Sequence, residues 1–247
     1  MRHDISIPRA ILTSLLYYYC RYRYCSPSRA SLFSGRLPIH VGEVNAEISQ
    51  PGFGMDVRFT TLADKLREAG YSTHQLGKWH LGMSAPAYLP KNRGFDTSFG
   101  YLGGGEDHFS QRYIQAPGGI FPQNITACGV VDLWNTTQPA FGENGTYSAF
   151  LYTAEAERII REHNQSRPMF IYYAAQETHA PNECPDRFSA LYANCSWCTN
   201  LTLQIYGMVA AIDESIGNLT RTLKDVSSSI ISCVCYGISL NSNFGFC

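Results

Sequence analysis

The sequence lacks an excess of charge of either sign: 19 Lys and Arg stand against 20 Asp and Glu in 247 residues. A net charge of −1 gives no electrostatic basis for holding nucleic acid or an anionic membrane, so no nucleic-acid partner is expected. No stretch approaches the roughly 20 consecutive apolar residues that cross a bilayer, so no membrane span is expected. Internal repeats, heptads and low-complexity tracts are missing too, which excludes solenoids and coiled coils. Carboxylates are scarce at the start, where Asp4 is the only one before Cys25. A hydrophobic content of 45% nevertheless suffices for a globular core of one large or two small domains.

Ile11 to Leu16, following Arg2 and Arg9, has the apolar character of a signal peptide. It runs into Tyr17-Tyr18-Tyr19 and Arg21 with no small-residue cleavage site before Cys25, so it reads as part of a strand approach instead. The secretory pathway is still indicated by two other features. Asn-x-Ser/Thr acceptors, none with a central proline, occur at Asn124, Asn135, Asn144, Asn164, Asn194, Asn200 and Asn218. Nine cysteines also suit an oxidising compartment. A lysosomal or extracellular glycoprotein is expected, with its targeting signal outside this sequence.

Strands and helices alternate. Tyr17 to Tyr24 reads as a strand, Ser28 to Ser34 as a short helix stopped by Gly35 and Pro38, and the segment after Thr61 as a helix with Thr61 and Asp64 in capping-box spacing. Thr73 to Leu76 reads as a strand, residues 84 to 147 as a long Gly-, Pro- and Asn-rich loop region, and Tyr152 to Glu162 as an amphipathic helix. Met169 to Ala175 is a continuous apolar run of the kind buried on both faces of a sheet, and Leu203 to Lys224 reads as a helix. This pattern predicts an α/β fold with a mostly parallel sheet flanked by helices. Cys25, Lys78, His80 and His179 all fall just beyond strand ends, where sites assemble in such folds.

Cys25 at a helix N-terminus, with Arg29 one turn on, suits an anion; a disulfide cysteine beside a structural arginine explains the same residues equally well. Lys78 and His80, two apart on an extended loop, offer a cation and a group that titrates near neutrality, or a surface lysine and a satisfied histidine. His179 is either a third member or a structural histidine. Cys195 and Cys198 have CxxC spacing without the second pair or histidines of a zinc finger, so a disulfide is expected there.

The segment Cys25-Ser26-Pro27-Ser28-Arg29, continuing to Gly35-Arg36, resembles the first motif of the sulfatase family, with Ser34 where a threonine is usual. Gly70 to His80 resembles the second, with Leu76 slightly larger than usual. Arg93-Gly94-Phe95-Asp96, Phe99-Gly100-Tyr101, Gln176 to His179 and Met208 to Glu214 extend the likeness over roughly residues 17 to 225, most like arylsulfatases of the N-acetylgalactosamine-4-sulfatase type.

The resemblance implies an alkaline-phosphatase-like fold and a sulfuric ester hydrolase acting on a sulfated small molecule or glycan. It implies that a formylglycine-generating enzyme oxidises Cys25, reading Pro27 and Arg29, and that the hydrated aldehyde attacks sulfur. It further implies that Arg29 and Lys78 hold sulfate oxygens, that His80 supports the hydrate, that His179 protonates the leaving alcohol and that calcium is bound with the formylglycine oxygen.

The Asp-Asp and Asp-Asn-Gly metal motifs of the family have no counterpart here, and Ser227 to Cys235 stands where the second is expected. Residues 1–225 are therefore expected to be a partial catalytic domain and 226–247 a divergent tail, with little turnover from this chain alone. The rival expectation is a secreted glycoprotein that binds sulfated glycans without cleaving them. An alkaline-phosphatase-type phosphoryl transferase fits less well, because those enzymes use Ser or Thr where this sequence has Cys25.

Overall fold

The computed structural model describes residues 25–42, 52–114 and 127–226. The expected strand at 17–24 and the tail from 227 lie outside the described residues.

The helix expected from Ser28 begins at Cys25 itself. Helix α1 spans Cys25–Ser34, because Pro27 is free of an N–H obligation in the first turn and Gly35, at φ 66°, leaves the helix in the left-handed region. Helix α2, Leu62–Glu68, has the capping box read from the sequence. The Thr61 hydroxyl accepts from the Asp64 N–H and the Asp64 carboxylate accepts from the Thr61 N–H, both at 2.9 Å.

Strand β1, Ser72–Gly77, is central to a five-stranded sheet. It pairs in parallel with β2, Thr97–Tyr101, on one side and with β7, Met169–Ala174, on the other. Two short antiparallel strands, β5 (Leu133–Asn135) and β6 (Gln138–Pro139), extend the sheet beyond β2. A separate ribbon pairs β3, Arg112–Ile114, with β4, Ala127–Val131. Residues 84 to 147, expected to be mostly loop, thus carry five strands. The shortness of β3, β5 and β6 explains the miss: their pairing comes from neighbouring strands and not from a local period.

Helix α3 begins at Ser148 and runs to Glu162; helix α4, Asp186–Ser189, precedes the long α5, Asn200–Val226. Ala156 and Ile159 of α3 pack on Leu76 of β1, and Met208 and Ala211 of α5 pack with Phe188 of α4 and Tyr147. On the other face, Phe33 of α1 meets Trp79, Phe95 and Tyr172 with ring centroids 5.6, 5.7 and 4.9 Å away. Burying Phe33 and Trp79 contributes about 2–3 kcal/mol each and fixes α1 against the end of β1. The expectation for Met169 to Ala175 is corrected in one respect: β7 is a strand, but only Ala174 of it is fully buried. Among the described residues β7 is the sheet edge, so its apolar side chains are covered only in part.

Candidate functional site

All five residues singled out from the sequence converge at the C-terminal end of β1. Gly77 ends the strand at φ 81°, with its Cα so close to Ala174 that an added Cβ would sit 2.1 Å from that carbonyl oxygen. Only glycine permits this turn. It sends Lys78, Trp79 and His80 down beside α1, and the Lys78 N–H donates to the Ala174 carbonyl at 2.9 Å. His80 has φ 54°, which for a residue with a Cβ is held only by its surroundings.

Two bonds join this turn to α1 and a third joins α1 to β7. The Ser26 hydroxyl donates to the His80 carbonyl at 2.7 Å, and Arg29 Nη1 donates to the Lys78 carbonyl at 2.8 Å and to the Tyr172 hydroxyl at 3.0 Å. Arg29, Lys78, His80 and His179 are all buried, and Cys25 is half-buried. Lys78 Nζ donates to the Gly104 carbonyl at 2.5 Å. A Cβ at Gly104 would lie 2.8 Å from His80 Nε2, and one at Gly105 would lie 3.3 Å from His179 Cε1. The run Gly103-Gly104-Gly105 therefore closes over both imidazoles, anchored by the Asp132 carboxylate, which accepts from the Leu102 and Gly103 N–H groups at 3.2 and 2.8 Å.

The electrostatics favour an anion. Burial alone would raise the Cys25 thiol, but the charge of Lys78, an interaction with the His80 ring and the charge of Arg29 outweigh it and bring its pKa down to about 5. The His80 ring lies beside the Cys25 sulfur, yet neither of its nitrogens makes a hydrogen bond of full geometry. Arg29 Nε is buried without a partner as well. Burial, then the charge of Lys78, lowers His80 to about 4 and His179 to about 3, so both are neutral at neutral pH. His179 Nδ1 is paired with the Ala180 carbonyl at 2.7 Å. The cluster thus has fixed cations and unfilled buried donors, the composition of an oxyanion site.

Several supporting residues carry no signal that sequence reasoning could have used. Tyr172 belongs to the apolar run of β7, yet its hydroxyl fixes Arg29. His108 stacks on Tyr147 with centroids 5.4 Å apart and bonds the His179 carbonyl through Nε2 at 3.1 Å. Glu106 is wholly buried; its pKa is pushed well up by burial, and its carboxyl bonds the Tyr152 hydroxyl at 2.8 Å. The triple glycine was visible in the sequence, but only the fold shows that it lies over His80.

The family model described as Sulfatase matches residues 13–236. The chain belongs to the sulfatase family. Arylsulfatase J of Mus musculus is 36% identical over 204 residues, which are 81% of this chain and 32% of that protein. Arylsulfatase A of Homo sapiens is 29% identical over 215 residues, 82% of this chain and 41% of that protein. Among solved structures, Ps i-CgsB in complex with k-i-k-neocarrahexaose superposes with a TM-score of 0.72 at 27% identity, over 84% of this chain and 46% of that one. The sulfatase chain described here thus spans less than half the length of these relatives, and its sheet and flanking helices have the alkaline-phosphatase-like sulfatase fold.

Family membership raises the question of calcium, which takes six to eight oxygen ligands. The groups around Cys25 are Arg29, Lys78 and His80, which are cationic or nitrogen donors. Among the described residues no group of three or more His, Cys, Asp or Glu side chains could hold a metal ion. The described donor set does not fit calcium.

Proposed function

We propose that this chain carries the nucleophile and anion-binding part of a sulfuric ester hydrolase. The observation that carries the reading is the convergence of Cys25, Arg29, Lys78, His80 and His179 at one strand end, with buried nitrogens left unfilled. In this reading Cys25 is the residue converted to formylglycine by a formylglycine-generating enzyme. Arg29 and Lys78 hold the sulfate oxygens and stabilise charge as the sulfur–oxygen bond breaks. His80 supports the hydrated aldehyde, and His179, once the negative charge of a bound sulfate offsets the field of Lys78 and lets the ring take up a second proton, delivers that proton to the leaving alcohol. The hydrate resolves a difficulty of sulfate hydrolysis, because loss of its second hydroxyl proton expels sulfate without attack by water on a hindered sulfur.

The substrate class is a sulfated carbohydrate, supported by the bound oligosaccharide of Ps i-CgsB. The secretory location is supported by exposure: Asn135, Asn144, Asn164, Asn194 and Asn200 are exposed acceptors, Asn218 is half-buried, and Asn124 lies outside the described residues. A second reading, a protein that binds sulfated glycans without turnover, is favoured by the mismatch between the described donors and calcium.

Both readings require that the site bind sulfate, and this is tested by thermal unfolding with sodium sulfate against sodium chloride at matched ionic strength. Sulfate is expected to raise Tm in the native chain and to have a much smaller effect in Lys78→Ala. Equal responses to both salts would overturn the sulfate-ester reading.

A further inference from the structure

The turn between α4 and α5 carries two modification chemistries on the same three residues. Asn194, Cys195 and Ser196 form an Asn-x-Ser acceptor, and its middle residue is bonded to Cys198 in a disulfide four residues wide. Asn194 and Ser196 are exposed, so nothing in the packing shields them. What constrains them is the backbone. The Cys195 N–H donates to the Tyr192 carbonyl at 3.0 Å and the Cys198 N–H donates to the Cys195 carbonyl at 3.2 Å, so the acceptor is wound through consecutive turns. Trp197, inside the disulfide loop, meets Tyr206 of α5 with ring centroids 6.3 Å apart, and Tyr206 meets Tyr192 at 5.4 Å. The closed loop is thereby held against α5.

Asn164 shows the contrasting arrangement. Its side-chain oxygen accepts from both the N–H and the hydroxyl of Ser166, at 3.0 and 2.8 Å. Carboxamide and hydroxyl are already together on one side of an exposed loop, as an acceptor tripeptide must present them. Among the described residues no hydrogen bond joins Asn194 to Ser196.

We propose that closure of the Cys195–Cys198 disulfide and transfer of a glycan to Asn194 exclude one another, so that each molecule of this chain carries one or the other. The inference rests on the secretory reading given above. In the first reaction the two thiols exchange with the disulfide of a dithiol–disulfide exchange protein: that protein's sulfur–sulfur bond breaks, its two sulfurs take up two electrons and two protons as thiols, and the Cys195–Cys198 bond forms. In the second, Asn194 Nδ2 loses a proton and bonds the anomeric carbon of a lipid-linked pyrophosphoryl oligosaccharide, whose carbon–oxygen bond to pyrophosphate breaks. Closing so short a loop costs little chain entropy, and the chain emerges at about 5–20 residues per second, so the two reactions compete on the nascent chain. Once closed, the loop cannot extend into a transferase site. Once glycosylated, Asn194 places a bulky polar group beside the Cys195 sulfur and hinders the exchange protein.

The test is glycopeptide mass spectrometry of the full chain from a mammalian secretory host, with free thiols alkylated and disulfides left intact. Cys198→Ser keeps the acceptor and removes the disulfide, and Cys195→Ser does the same with a serine in the middle position. Occupancy is read from whole-cell digests, so neither variant needs to fold. Asn194 is expected to be empty wherever the Cys195–Cys198 bond is present, and its occupancy to rise several-fold in both variants while Asn164 is unchanged. A wild-type peptide carrying both the glycan and the disulfide, or unchanged Asn194 occupancy in both variants, would overturn the proposal. Empty acceptors throughout, Asn164 included, would instead overturn the secretory reading, and the proposal with it.

Discussion

The Arg29 guanidinium donates to the carbonyl oxygen of Lys78 at 2.8 Å, tying the helix behind Cys25 to the turn that carries Lys78 and His80. The same nitrogen reaches the Tyr172 hydroxyl, so one side chain links α1, the end of β1 and β7. Arg29 therefore has an architectural task as well as the electrostatic one proposed for it.

Arg29→Ala is expected to destabilise the chain by about 1–3 kcal/mol, because it leaves the buried Lys78 carbonyl without its donor. Arg29→Lys should recover only part of this, since an ammonium cannot reproduce the planar fork. Tyr172→Phe, which leaves the Lys78 bond intact, should cost less than Arg29→Ala. Urea unfolding of the three variants checks the order.

Gly77→Ala should destabilise by about 2–3 kcal/mol, since a Cβ there meets the Ala174 carbonyl oxygen at 2.1 Å in a left-handed backbone conformation. Gly42→Ala is the matched control: its φ is 99°, but nothing lies within 4 Å of its added Cβ. Its cost should be confined to the backbone term and be clearly smaller. Denaturant midpoints of the two variants decide whether close packing at the strand end adds to the conformational penalty.

Two buried groups have opposite consequences for pH. Burial raises Glu177 from 4.5 to about 7, so its contribution to stability is fully present below pH 4.5 and is lost as pH rises through 7. Burial, then the charge of Lys78, lowers His179 from 6.5 to about 3, so its contribution is present above pH 6.5 and is lost as pH falls toward 3. Glu177→Gln should accordingly gain stability relative to the native chain between pH 4.5 and 7, and His179→Gln should gain between pH 6.5 and 3. Denaturant midpoints across the pH range measure both differences; parallel curves would show that neither group titrates as its burial requires.

Much of this arrangement was legible in the sequence, for identifiable physical reasons. Thr61 and Asp64 announced their helix because a capping box is local and its bonds lie within four residues. Lys78, His80 and His179 could be placed together because they follow β1 and β7, and a parallel sheet brings strand ends to one side; Cys25 was placed with them on an expected strand that lies outside the described residues. The role of Tyr172 was hidden because an apolar run reveals burial and not the destination of one hydroxyl. The strands within residues 84 to 147 were hidden because β5 and β6 are three and two residues long and depend for their pairing on neighbours, β5 on β2 and β6 on β5. The closeness of Gly104 to His80 depends on that same pairing, which no local pattern encodes.

The central claim concerns Cys25. It is tested most directly by mass spectrometry of the Cys25 peptide from chain expressed in a eukaryotic secretory host, with an aldehyde-reactive hydrazide as a chemical check. Formylglycine at position 25 in a substantial fraction of molecules, abolished in Cys25→Ala and strongly reduced in Arg29→Ala, is the predicted result. An unmodified thiol at Cys25 in every copy would contradict the account.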